Sequence, residues 1–189
     1  MILWENTIFC AMDTETTGVD PMNGDRIIEI AMVPIYRGKV LLRWSFQSLV
    51  NPMVRIPALT EKVHGISNSQ ISDAPTMEEI FPTIAGYVRK SILVLHHGDF
   101  DLSFLDMEAK EIGTFPLSIS YVDTSEISKT LFGETKSLTW LAHRYGFDEP
   151  NHRALDDAVL TCKVFLKMMR SLGHDRVKEF IRVWRGRDW

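Results

Sequence analysis

The first largely apolar run, Thr7-Ile8-Phe9-Cys10-Ala11-Met12, stops at the polar stretch Asp13-Thr14-Glu15-Thr16-Thr17-Gly18. A short apolar run bounded in this way predicts a buried strand. Val19 to Asp25 holds Pro21, Asn23 and Gly24, the chemistry of a turn. Arg26 to Tyr36 is apolar and β-prone, Gly38 marks a second turn, and Val40 to Val50 predicts a third strand. Three strands with short connections predict an antiparallel meander, closed by Asn51-Pro52.

The period then changes. Ile56 to Ile71, with Pro57 and the tripeptide His64-Gly65-Ile66, predicts a short helix and a loop. Thr76 and Glu79 have the spacing of a capping box, and Met77, Ile80, Phe81, Ile84 and Val88 follow at helical intervals. Pro82 inside that helix lacks a backbone donor and predicts a kink. Ser91 to Leu95 predicts another strand, leading through His96-His97-Gly98 into a helix from Asp99-Phe100-Asp101 to Ile112, ended by Gly113 and Pro116. Tyr121-Val122 predicts a last short strand. Asp123 with Glu126 predicts a helix N-terminus, and Ser137 caps a helix that ends at Gly146. Arg153 to Leu172 carries a stripe of Leu155, Val159, Cys162, Leu166 and Met169. Val177, Phe180, Ile181 and Trp184 predict a final helix.

Strands first, then strands alternating with helices, predict an α/β domain with a mixed sheet covered by helices. At 189 residues, with no internal repeat or linker, residues 1–189 are expected to form a single domain.

The acids change the picture. Asp13 and Glu15 are two residues apart on a strand and point to one face. Two crowded carboxylates repel, and oxygen-only donors of this kind favour magnesium or manganese over zinc. Asp101 lies just past a strand end, where open α/β sheets build their sites. Asp157 lies in the first turns of the long helix, five residues after His152. Five helical residues turn through about 500°, so the two side chains share a site only if His152 lies in the approach to the helix. Pro150 and Asn151 favour that placement. A loop histidine suits a general base near neutral pH.

Composition sets limits. A hydrophobic content of 45% and a charged content of 24% are ordinary for a soluble globular protein, and no apolar run reaches the length of a membrane span. The start, Met1-Ile2-Leu3-Trp4-Glu5, lacks the features of a signal peptide. Cys10 and Cys162 are expected to be reduced, buried thiols of a cytoplasmic protein. A net charge of −4 argues against binding nucleic acid through the overall field, but not against a metal enzyme, because bound cations invert the charge of an acidic pocket.

Three segments in order, Asp13-Thr-Glu15-Thr-Thr-Gly, His96-His97-Gly-Asp-Phe100-Asp101-Leu-Ser-Phe104-Leu105 and His152-Arg-Ala-Leu-Asp-Asp157-Ala, resemble the DEDDh 3′→5′ exonucleases. That family includes the epsilon proofreading subunit of bacterial DNA polymerase III, ribonuclease T and oligoribonuclease. The resemblance runs from about Ile8 to Met169 and implies a ribonuclease H-like fold, a five-stranded mixed sheet flanked by helices. It also implies that Asp13, Glu15, Asp101 and Asp157 hold two divalent cations, Mg2+ or Mn2+, with His152 as general base. Two ions about 4 Å apart activate the water and stabilise the leaving 3′-oxygen of a phosphodiester. The implied reaction is 3′→5′ hydrolysis of single-stranded ends to nucleoside 5′-monophosphates, with DNA favoured. A polymerase or another replication or repair protein is the implied partner. An exoribonuclease similar to ribonuclease T or oligoribonuclease, a non-catalytic nucleic-acid-binding or polymerase-associated module and a two-metal phosphatase are the other readings. His97 stands where relatives often have Asn.

Other residues divide into contacts and bystanders. Thr16, His64, Ile66 and Phe104 are candidate substrate contacts, with core packing the alternative for Ile66 and Phe104. Asp99 and Asp156 read as solvated neighbours of the acids, Asp123 as a helix cap, and His143 and His174 as surface residues. Arg176, Lys178, Arg182, Arg185 and Arg187 read as a solvated basic face, with a nucleic-acid track as the alternative.

Overall fold

The computed structural model describes residues 3–114 and 117–186; Met1, Ile2, Pro116 and Arg187 lie outside the described residues. A one-turn helix α1 (Leu3–Asn6) precedes β1 (Ile8–Thr16), β2 (Ile27–Tyr36), β3 (Lys39–Val40) and β4 (Phe46–Leu49). Short helices α2 (Ala58–His64) and α3 (Asn68–Ile71) lead to α4 (Met77–Lys90), which runs through Pro82. Then come β5 (Ile92–Leu95), α5 (Asp99–Glu111), β6 (Ser118–Asp123), α6 (Thr124–Phe132), α7 (Leu138–Tyr145), α8 (Ala154–Leu172) and β7 (Arg182–Arg185).

The strands form one mixed sheet in the order β3-β2-β1-β5-β6-β7, with β4 also paired to β2. β1 runs antiparallel to β2 and parallel to β5, and β5 is parallel to β6. Both faces are covered. Phe9, Ala11, Val33 and Ile35 pack with α8 residues such as Cys162, Phe165 and Met169 on one face. Cys10, Met12 and Met32 pack with α4 and α5 on the other, against Ile84, Leu102 and Phe104. This explains why β2 is apolar from Ile27 to Ile35 except at Glu29, with all of these residues buried, since a strand covered on both sides loses its polar alternation.

Four expectations are corrected. The sheet has seven strands rather than five. The predicted strand from Val40 to Val50 is interrupted by a 3₁₀ turn at Leu42–Trp44, so two short strands follow one edge of β2 at different heights. The predicted final helix is a 3₁₀ segment, His174–Phe180, followed by β7. Val177, Phe180 and Trp184 do face the interior, but Val183 and Trp184 are β-formers, and pairing with β6 satisfies an otherwise open sheet edge. The segment from Ile56 to Ile71 holds two helices rather than one.

The expected caps form. Thr76 and Glu79 make their capping box, and the side chains of Asp123 and Ser137 accept the backbone N–H groups of Ser125 and Trp140. Cys10 and Cys162 are free and buried. Among the described residues, no helix is long and apolar enough to cross a membrane.

Candidate active site

Alternation along β1 distributes its polar end between two faces. Asp13 and Glu15 continue the Phe9–Ala11 face toward α8, whereas Thr14 continues the Cys10–Met12 face toward α5. Thr14 donates its hydroxyl to Asp101 Oδ1 at 2.7 Å, tying β1 to the first turn of α5. From the other side, α8 delivers Asp157 in its first turns. Glu15, His152 and Asp157 place one potential ligand atom each within 4.8 Å of one another.

Each approach to the site is fixed by backbone hydrogen bonds. The Asp123 carboxylate accepts the N–H groups of His97, Gly98 and Ser125 at 3.2, 2.9 and 2.7 Å, so one buried side chain holds the β5–α5 loop. Gly98 is needed there, because a Cβ would lie 2.7 Å from the Leu95 side chain. Asp157 accepts the N–H groups of Asn151 and His152, both at 3.1 Å. His152 is exposed, with φ 57°, in the left-handed region where His is among the enriched non-glycine residues. His97 has φ 58°, also left-handed. Asn favours that conformation too, so the backbone at position 97 suits either residue.

The electrostatics are unbalanced. Among the described residues, no lysine or arginine forms an ion pair with Asp13, Glu15, Asp101 or Asp157. Burial, reinforced by Asp101, Asp157 and Glu15, holds the Asp13 carboxyl well above the usual carboxylate range. Burial and Asp157 push Glu15 up to about 8. Burial pushes Asp101 to about 7 against the pull of its Thr14 hydrogen bond, and it also raises Asp157. Four acids that resist ionising together need a cation, and their oxygen donors fit Mg2+ or Mn2+.

The other named residues fall into place as follows. Thr16 is buried and donates its hydroxyl to the Gly18 carbonyl at 2.5 Å. Ile66 and Phe104 are interior, at 1% and 0% exposure. His64 is buried at the end of α2; its Nδ1 accepts the Ile66 N–H, leaving a buried Nε2 without a protein partner. In His96, Nδ1 donates to Thr124 Oγ1, because that hydroxyl already donates to the Leu95 carbonyl. Burial lowers the His96 pKa to about 4, so the ring is neutral. Asp99 and Asp156 are exposed, as is His143, which pairs with Glu149. His174 stacks on Trp4. Arg176 and Arg182 are paired with Glu179 and Glu126.

Besides Thr14, two residues escaped sequence reasoning. Glu29 lies directly opposite Glu15 in the β1–β2 register and is 0% exposed. Arg153 meets it with a two-pronged contact. A lone charged residue inside the apolar run of a doubly covered strand was the signal available.

Known proteins resemble this chain in sequence and in fold. The sequence model of the RNase_T exonuclease family matches residues 10–165. The chain is 37% identical over 169 residues to a DNA polymerase III subunit epsilon-like protein of Rhodobacter capsulatus, covering 87% of this chain and 24% of that protein. It is 35% identical over 178 residues to a PolC-type DNA polymerase III of Caldanaerobacter subterraneus subsp. tengcongensis, covering 93% and 12% respectively. It therefore spans a quarter or less of those relatives' length. Among solved structures, exonuclease X in complex with 5′-overhanging duplex DNA superposes with a TM-score of 0.69 at 23% identity, covering 87% of this chain and 93% of that one. The nuclease domain of 3′hExo, a DEDDh family member bound to rAMP, gives 0.77 at 17% identity, covering 96% and 98%. These two likenesses bear on the fold.

Proposed function

The chain belongs to the DEDDh-type 3′→5′ exonuclease family, and from that premise we propose that it hydrolyses the 3′-terminal phosphodiester of single-stranded DNA to release nucleoside 5′-monophosphates. The observation that carries the reading is the convergence of Asp13, Glu15, Asp101 and Asp157 from β1, α5 and α8 with, among the described residues, no ion pair to a lysine or arginine. These four acids would hold two divalent cations, which when bound neutralise the phosphodiester and activate water. His152, exposed on its left-handed loop beside Glu15 and Asp157, takes the proton of the attacking water.

The substrate end is received by neighbouring surfaces. Thr60 donates to the Thr17 carbonyl at 3.0 Å and so fixes α2 beside the end of β1. That helix exposes Leu59 and Val63, and α5 exposes Phe100, offering apolar surface for unstacked bases. Thr16 and His64, buried on β1 and at the end of α2, are the polar residues we assign to the substrate end, with Ile66 and Phe104 packed in the interior. DNA is favoured because the relatives at 35–37% identity are named as polymerase III proteins. We read residues 1–189 as one exonuclease domain acting in the cytoplasm beside a polymerase or other replication or repair protein.

The test is purified protein with 5′-labelled single-stranded DNA and RNA of matched sequence, in magnesium, in manganese and in chelator. Stepwise shortening of DNA from the 3′ end, lost in chelator and in Asp13→Ala, is expected. His152→Ala is expected to lower kcat by about 10²–10⁴-fold. Activity that survives chelation or Asp13→Ala sinks the reading, and faster cleavage of RNA assigns the site to an exoribonuclease.

A further inference from the structure

Glu29 shares the face of Glu15 yet lives in a different electrostatic world. All of its strong acceptor positions are used: Oε1 accepts from Gln47 Nε2 at 2.7 Å and an Arg153 terminal nitrogen at 2.8 Å, and Oε2 accepts from Arg153 Nε and the Ala154 N–H, both at 3.1 Å. No lone pair remains pointed at a cation, so Glu29 is not a fifth metal acid. Its partners instead define its task. Arg153 follows His152 directly, and Ala154 opens α8, the helix that carries Asp157 one turn later. A single buried carboxylate on β2 thus grips both the loop and the helix start, and β2 is paired through Glu29 to Glu15 itself. On its other side the loop is held by Asp157, whose oxygens accept the N–H groups of Asn151 and His152, and by the Asn151 side chain, which donates to Asp156 and accepts the Arg153 N–H.

We propose that the Glu29–Arg153 pair is a positioning clamp that holds His152 in its left-handed conformation over the acids, independently of any bound ion. The inference rests on the role proposed for His152 above. It follows from geometry: a left-handed non-glycine residue persists only where its surroundings over-determine it. The Asp157 hydrogen bonds cannot do this alone, because the same carboxylate is required by the cation. The planar fork of Arg153 supplies a constraint outside the ligand set, and a lysine, with one point of contact, does not reproduce it.

The clamp is tested with Arg153→Ala, Arg153→Lys and the double variant E29Q/R153M, in which neither partner is left as a buried, unpaired charge. Two readouts are used. The first separates kcat from KM on labelled single-stranded DNA. A displaced base lowers kcat about 10–100-fold with KM and the manganese requirement changed less than about threefold. Lysine restores part of the loss, and the double variant is no worse than Arg153→Ala. The second is the backbone ¹⁵N order parameter of His152 in chelated protein, expected to fall from rigid values near 0.85 to below about 0.6 in Arg153→Ala, while the amides of Asp13 and Glu15 stay rigid. Unchanged kcat, or a His152 amide that stays rigid in all three variants while activity falls only with the folded fraction, overturns the clamp. Loss of order in Arg153→Ala together with a fully active His152→Ala leaves the clamp standing and removes the base role instead.

Discussion

Asp101→Asn is expected to kill the enzyme and to stabilise its metal-free form. Burial, opposed only in part by the hydrogen bond from Thr14, lifts the Asp101 pKa from 3.8 to about 7. A carboxyl with a higher pKa in the folded chain binds more protons there than when unfolded, so its contribution to stability is fully present below the unfolded value. It is lost as pH rises from about 4 to about 7. The shift is roughly three units, so at 1.36 kcal/mol per unit the metal-free protein loses on the order of 4 kcal/mol through this residue at pH 8.5, and less than half of that at pH 5. Asparagine keeps the shape and still accepts the Thr14 hydroxyl, but carries no charge to desolvate or to repel Asp13. In chelator at pH 8.5, D101N should therefore melt above wild type by about 8–16 °C, taking 2–4 °C per kcal/mol for a chain of this size. At pH 5 the gap should shrink to less than half. Manganese at a hundred times Kd narrows the pH 8.5 gap, because wild type gains about 2.7 kcal/mol and the variant does not. The assay is thermal unfolding followed by circular dichroism at the two pH values, with chelator or manganese. A D101N variant that melts at or below wild type in chelator at pH 8.5 refutes the crowding of acids inferred for this site.

Other expectations are simpler to read. His97→Asn keeps a residue at home in the left-handed region and should change stability by less than about 0.5 kcal/mol with cleavage retained, whereas His97→Ala should cost about 1 kcal/mol in urea unfolding. An Asn variant less stable than the Ala variant contradicts that backbone preference. Gly18→Ala places a Cβ 2.2 Å from Asp25 Oδ2, a carboxylate pinned by the Thr17 hydroxyl and the Asp20 N–H. It should cost about 1–3 kcal/mol, and an unchanged urea midpoint would show that the close approach is not real.

How much of this was legible in the sequence depends on the reach of each interaction. Asp13 and Glu15 could be placed on one face because strand periodicity is local, and His152 could be placed off the α8 helix because helical rotation forbids the alternative. Thr14 was passed over although it lies between those acids. Its partner is 87 residues away, and nothing local marks the contact. Arg153 was hidden by its neighbour, and Glu29 by the apolar run that surrounds it; their contact spans 124 residues. The last strand was misread for a different reason. Val177, Phe180, Ile181 and Trp184 fit a helical stripe, but the competing pull was a vacant edge on β6, and that vacancy is a property of the assembled sheet.

The contrast between the two facing glutamates shows how the site is made. Glu15 and Glu29 are register partners on adjacent strands, both withdrawn from bulk water, and each alone would be expelled or neutralised. Burial pushes Glu29 upward too, but hydrogen bonds from Arg153, Ala154 and Gln47 more than offset it and hold it below the usual carboxylate range; Glu15 receives no such partner and rises to about 8. With 21 lysines and arginines in the chain, the supply of cations was not the limit. The fold spends the fork of one arginine on the carboxylate that must stay a scaffold, and among the described residues it forms no lysine or arginine ion pair with the four that converge at the end of β1, where Arg153 only partly offsets the rise at Glu15. Such a cluster is unfavourable by itself, and the two apolar layers flanking the sheet must offset it. A divalent ion relieves that repulsion. The same deficit that destabilises the metal-free chain at high pH is therefore what gives the site its affinity for metal, and the two cannot be engineered apart.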